Sequence, residues 1–381
     1  MIYFLGSILA LLPIYRWRFE ILGLPTTFLE LLIVVFLAMV FISKYHELGS
    51  LKKHQRLNWF VLAFVLAGII STLVSPEPVK ALGLLKAFII EPVLLFYAAV
   101  LVIKNTKNLR LPLLCLFWSA VAVSVFGLIQ SVTLIGLPLR FWGTGAEPLR
   151  IVSVFEYPNA LALYLGPLFI FFFALALKKN LLSTYPHFAG LAVMGLALLL
   201  TQSRGAWLAV FAGLIFLAFK NFHWKKALSG TLLVLFVLLL LAPVRNRIGL
   251  VAQDPSSTAH LDLMQIGIHK IISNPIFGNG LFGFRNTLEQ AGYRGELLNY
   301  PHNIFLNLWL ELGLLGFIAF FAVLWFVLDR YKKQPGVFSL AVASFMLVVL
   351  IHGLVDAPYF KNDLAVLFWF MVSVSTLKNS Q

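Results

Sequence analysis

Residues 244–303 read VRNRIGLVAQDPSSTAHLDLMQIGIHKIISNPIFGNGLFGFRNTLEQAGYRGELLNYPHN, the one long run of this chain with a soluble protein's texture. Around it, apolar blocks alternate with connections of a few residues. Within it stand Arg, Asp, His and Glu, several Gly and Pro, and then a return to apolar sequence at Ile304. A long polar loop in a chain otherwise built for lipid is where binding and chemistry usually gather.

The apolar background sets the class. Of 381 residues, 61% are hydrophobic and only 12% charged, against roughly 25% charged in soluble domains. Apolar blocks near 2–15, 27–43, 58–74, 84–103, 111–135, 158–177, 186–201, 205–219, 227–242, 304–328, 337–355 and 364–377 suit about twelve crossings, most of them near the roughly 17–25 residues that a spanning helix needs, with 2–15 short and 186–201 and 205–219 short and closely joined. Alternating apolar-out, polar-in strands are missing from the pattern, so helices are the spanning solution. The expectation is an all-α, polytopic transmembrane bundle forming a single domain over 1–381, with 244–303 as one large loop. Met1–Tyr15 lacks a basic leader and a small-residue cleavage site, so it is expected to stay.

The net charge of +14 belongs to membrane topology rather than to nucleic acid. Lys44, Lys52, Lys53 and Arg56, then Lys104, Lys107 and Arg110, Lys178 and Lys179, Lys220, Lys225 and Lys226, and Arg330, Lys332 and Lys333 fall on alternate connections, with Lys378 in the tail. These connections and both termini are expected on the cytoplasmic face of a bacterial inner membrane, against anionic lipid. Arg16 and Arg18 run against that rule. Residues 244–303 then face outward, into the periplasm. Ser256, Ser257 and Thr258 offer helix caps, Pro275 a stop, and Leu261, Met264, Ile268, Ile271 and Ile272 a helical apolar face. An amphipathic helix lying on the membrane or bundle is expected there.

Cys115 is the single cysteine, and no His, Asp or Glu set has ligand spacing, so no metal site and no cofactor is expected. Gly278, Gly280 and Gly283 spell GxGxxG, but no βαβ unit surrounds them, and they are read as turn glycines. Arg204, in Thr-Gln-Ser-Arg-Gly-Ala-Trp, sits between two apolar blocks with almost no loop. Its planar fork suits phosphate oxygens, or it snorkels to headgroups. Asn303, Asn307 and Glu311 recur at i, i+4, i+8 of a spanning helix, a stripe that either serves substrate or caps the helix and bonds a neighbour. His302 stands at its mouth, and imidazole is the side chain suited to proton transfer near neutrality. His260 and Asp262 begin the loop helix. His352 and Asp356, at i, i+4, could orient one another or form a cap. An outward face with arginines, one histidine and an embedded acid suits a lipid-linked diphosphate donor and an acceptor hydroxyl.

Thr201-Gln-Ser-Arg-Gly-Ala-Trp207, the Asn274-Pro-Ile-Phe-Gly-Asn-Gly280 turn and Pro301-His-Asn-Ile-Phe-Leu with Glu311-Leu-Gly-Leu-Leu-Gly316 together resemble the O-antigen ligase/polymerase family. The order of spans, the late large loop and Asp356 after the penultimate helix match as well. The resemblance implies a metal-independent, inverting glycosyltransferase of GT-C-like membrane architecture. Its donors would be undecaprenyl-diphosphate glycans, and its acceptor lipid A–core for a ligase or a lipid-linked glycan for a polymerase. It implies that Arg204 binds the diphosphate and that His302 activates the acceptor or orients the donor. Where the family often has a second loop arginine, this sequence has His260, so Arg245, Arg247 or Arg285 could supply that contact. Arg150, ahead of Glu156-Tyr-Pro-Asn159, is a further donor-contact candidate. The competing expectation is a lipid-linked glycan transporter or flippase, which should show two matched halves and broken helices near the midplane.

Overall fold

The computed structural model describes residues 1–21, 24–144, 148–178, 184–240, 255–296 and 298–377. Among these the regular elements are helices and one two-stranded sheet. Among the described residues, six stretches are long and apolar enough to cross a bilayer: Phe28–Leu73, Pro78–Val102, Thr106–Thr133, Pro158–Leu177, Arg204–Asn221 and Ile304–Lys333. Tyr185–Leu200, Val337–His352 and Asn362–Ser375 are shorter apolar helices. This is a polytopic helical membrane protein. The first of the six stretches divides into α2 (Phe28–Lys44) and α3 (Gln55–Leu73) about a polar 3-10 connection, Tyr45–His54.

The block at 2–15 is not one helix, as expected, but α1 (Ile2–Ala10) followed by a 3-10 turn over Leu12–Arg16. Pro13 has no amide proton with which to continue the α ladder. Beyond it β1 (Arg18–Ile21) pairs antiparallel with β2 (Leu24–Thr27), Arg18 opposite Thr27.

The chain packs as two compact units, one of Met1–Leu113, Thr258–Ser339 and Gly353–Gln381, the other of Leu114–Ser257 and Leu340–His352. In the first, α3 lies along the Ile304–Lys333 helix. The Arg56 guanidinium sits 4.0 Å over the Trp325 ring near one end, and Ser71 Oγ donates to the Glu311 carbonyl near the other. At the Arg56 end, Lys44 and Lys104 both pair with Glu47. At the opposite end Thr27 and Glu30 close a capping box on α2, and Glu30 also meets Lys86 at 2.7 Å.

The Ile304–Lys333 helix is broken at Gly313, where φ is +64°. The break is repaired from the loop. Leu310 O, which an unbroken helix would give to Leu314 N, instead accepts from Asn279 N at 2.7 Å, and Leu314 N donates to Ile276 O at 2.9 Å. Irregular backbone inside an apolar helix survives only where its polar groups find partners. The glycines of GxGxxG are what permit the approach. A Cβ at Gly278 would lie 2.4 Å from Leu310 O, and one at Gly280 would lie 2.6 Å from Ser75 Cα.

In the second unit, Pro158–Leu177 is buried along nearly its whole length and carries Tyr185–Leu200 and Arg204–Asn221 on its flanks. Gly213 lets the last of these approach, since a Cβ there would lie about 3 Å from both Ile170 and Val348 side chains.

Candidate functional site

The loop helix expected between residues 261 and 272 spans Pro255–Ser273, but it buries a different face. Two apolar stripes run along this helix: Leu261, Ile268 and Ile272 stay open to solvent or lipid, while Leu263, Gly267 and Ile271 pack. The packed stripe contains Gly267, whose missing side chain brings the backbone against Leu310 and Pro301. With Phe284, Leu288 and Leu310 it forms a small core of the loop, each large member contributing about 1.5–3 kcal/mol where water is excluded.

His260 extends that stripe by one turn, at i−3 from Leu263, and so reaches the mouth of the Ile304–Lys333 helix. Its ring stacks on His302 with centroids 4.4 Å apart and planes 5° from parallel. Tyr300 meets the His302 ring edge-on at 5.0 Å. His302 itself has φ +51°, a left-handed conformation that costs a non-glycine residue about 1–2 kcal/mol and clusters at functional positions. Asn303 holds it there. The Asn303 Oδ1 accepts from the amides of Phe305 and Leu306 at 3.0 and 3.1 Å, and its Nδ2 donates to Leu354 O at 2.9 Å. Ile304 N donates to Gly353 O at 2.7 Å. These bonds fasten the 353–356 turn beside the histidine, and His302 Nδ1 lies 3.3 Å from Asp356 Oδ1. Asp356 therefore serves His302, a partnership that the i, i+4 spacing from His352 concealed. Donation of Nδ1–H to the carboxylate selects the tautomer whose Nε2 can accept a proton.

Glu311 does something else. Its Oε2 accepts from Phe282 N at 2.7 Å, tying the 278–283 turn to the broken helix, while Asn307 is buried one turn nearer His302. Arg285 is exposed and pairs with Glu289 at 3.5 Å along its own helix, Phe284–Gln290. Arg245 and Arg247 lie outside the described residues.

In the second unit, Arg204 opens its helix directly after Thr201-Gln202-Ser203, with Gln202 at φ +55°. A guanidinium at a helix N-terminus adds its charge to the positive end of the macrodipole, a combination that attracts anions. Arg150 braces this turn. Its Nε donates to Thr201 O at 3.0 Å and its Nη2 to Asn159 Oδ1 at 2.9 Å. Buried Gln130 fixes the strand of chain behind it, accepting from Ser153 N at 2.7 Å and donating to Ser153 O at 3.0 Å. The sequence marks none of the Gln130 contacts, which join residues far apart along the chain.

Comparison with known proteins covers some of these residues. Residues 189–321 match the family model described as O-antigen ligase. The matched segment contains Arg204, His260, Arg285, His302, Asn303 and Glu311, so the resemblance carried by the motifs holds, and the family is one of enzymes. Arg150 and Asp356 lie outside it. A Haemophilus influenzae protein, named only as uncharacterized, is 23% identical over 212 residues, covering 49% of this chain and 53% of its own length. A Rickettsia conorii protein, provisionally named a polysaccharide ligase, is 34% identical over 91 residues, 22% of this chain and 21% of that protein. The chain thus spans about half, and about a fifth, of the length of these relatives.

Proposed function

We propose that this protein is a glycosyltransferase that moves a glycan from undecaprenyl diphosphate to an acceptor hydroxyl on the periplasmic side of the bacterial inner membrane. The acceptor assigned is lipid A–core, the reaction of an O-antigen ligase. The observation that carries the proposal is the His302–Asp356 pair at the mouth of a spanning helix, with His260 stacked on it. His302 Nε2 takes the acceptor's hydroxyl proton as the oxygen attacks the anomeric carbon. The bond to the diphosphate oxygen breaks as the new glycosidic bond forms, with inversion, and the diphosphate leaves with the electron pair. Asp356 steadies the resulting imidazolium. Arg204, at its helix N-terminus, is the diphosphate clamp. His260 is a substrate contact in place of a second arginine, with Asn303 and Arg150 in supporting roles.

The proposed topology puts Lys44, Lys104 and Arg330 on the cytoplasmic side with both termini, residues 244–303 in the periplasm, and about twelve crossings in one GT-C-like domain. Reconstitution with a synthetic polyprenyl-diphosphate sugar tests the assignment. His302→Ala and Arg204→Ala are expected to abolish transfer while the protein stays folded, and wild-type transfer by both would refute it. A glycosylated lipid A–core product supports the ligase, whereas lengthened lipid-linked glycan would make the enzyme a polymerase. Transport of the lipid without transfer would reassign the protein as a flippase.

A further inference from the structure

On the Pro255–Ser273 helix, Ala259 and Asp262 open onto a groove of about 570 Å³ between this helix and the turn after Gln290. Asp262 and Gln265 line the helix side, and Tyr293, Arg294 and Gly295 the other. Tyr293 is fixed in place. Its amide donates to Leu288 O at 3.0 Å, its ring packs against the loop core, and its phenol lies so close to Gly295 that a Cβ there would be 2.5 Å from the hydroxyl oxygen.

The lining selects among ligand chemistries. The formal charges of Asp262 and Arg294 cancel, which disfavours a diphosphate. The wall is too polar for a polyprenyl chain. A carboxylate that only accepts, a guanidinium that only donates and an amide that does both match the vicinal hydroxyls of a sugar, and a half-buried tyrosine matches its C–H face. We propose that this groove is a carbohydrate subsite, holding pyranose rings of a glycan on the same loop helix that carries His260. The subsite rests on the transferase assignment for its role, and the sugars could belong to the donor glycan or to the acceptor.

The full chain in lipid nanodiscs is to be titrated with two lipid-free oligosaccharides released by mild acid from the host, one from its polysaccharide repeat and one from its lipid A–core, using saturation-transfer NMR. Binding of at least one is expected, weakened about tenfold or more by Asp262→Ala/Gln265→Ala and by Arg294→Ala. Whichever oligosaccharide binds identifies the source, and binding of both assigns the groove to both substrates. No binding of either, or undiminished binding to the variants, overturns the subsite. Tyr293→Phe, which keeps the packing, is expected to weaken binding less than the double variant, and equal thermal melting of all forms excludes misfolding as the cause. Parallel transfer assays separate the two claims. Variants that raise the KM for the matching substrate, with kcat nearly unchanged, support both. Glycan binding without any transfer by the wild type leaves the subsite standing and removes the transferase, while transfer insensitive to the groove does the reverse.

Discussion

Asp356 and His302 meet across 54 residues of chain, Oδ1 to Nδ1 at 3.3 Å, with the carboxylate almost wholly buried behind the ring. If the carboxylate orients the imidazole and balances its charge during proton transfer, Asp356→Asn should keep the shape and lose that balance. A fall in kcat on the order of 10²-fold is expected, with His302→Ala costing on the order of 10²–10⁴-fold. Steady-state kinetics on reconstituted protein measure it. An Asp356→Asn enzyme with unchanged kcat would leave the carboxylate a purely structural partner.

Arg150 spends two donors on Thr201 O and Asn159 Oδ1, which makes it a brace for the turn that ends at Arg204. Arg150→Ala is expected to loosen that turn, raising the donor KM by about tenfold and lowering stability by about 1–3 kcal/mol. Arg150→Lys, able to reach one of the two oxygens, should recover part of the KM. A variant that melts early but binds donor normally would separate the brace from the function assigned to it.

How far the sequence alone reaches can be seen residue by residue. Helices, their apolar faces toward lipid and the basic connections follow from composition, because membrane crossing imposes length and charge rules on local sequence. His302 and Asn303 stand out for the same reason, as polar groups at the start of an apolar block. The Asp356 contact, the Gln130 brace and the His260 stack do not stand out, because each depends on how separate segments dock. The packed stripe of the loop helix does not stand out either, because Gly267 within it has no side chain to count. The pairing of Arg18–Ile21 with Leu24–Thr27 lies in the short connection between two apolar blocks, where apolar patterning assigns no structure.

Gly280 and Gly292 both have positive φ, at +78° and +66°, but only Gly280 is crowded, whereas nothing lies within 4 Å of a Cβ at Gly292. Replacing each by alanine separates conformation from contact. Gly292→Ala should cost about 1 kcal/mol, the backbone term alone. Gly280→Ala should cost about 1–3 kcal/mol more, because Ser75 Cα and Ser71 O are backbone atoms that cannot swing aside. Thermal unfolding in nanodiscs reads both, and equal losses would mean that the loop does not press on α3 as described.

Glu30 gathers three partners at the end of the first unit opposite the basic connections. Its Oε2 accepts from Thr27 N at 3.3 Å and meets Lys86 Nζ at 2.7 Å, and its Oε1 accepts from Asn362 Nδ2 at 2.6 Å. Lys86 remains about a third exposed, at 36%, while Glu30 is at 6%, so the ion pair is screened on one side only. Glu30→Ala removes the N3 half of the capping box and leaves Asn362 and Lys86 to find other partners, with an expected loss of about 2–4 kcal/mol. Glu30→Gln keeps an acceptor for Asn362 and should lose less. In a double-mutant cycle with Lys86→Met, the Lys86 share of the loss should come out below about 2 kcal/mol. A coupling near zero would assign the stabilisation to the cap and Asn362, and would reduce the Lys86 contact to a surface pairing without energetic consequence.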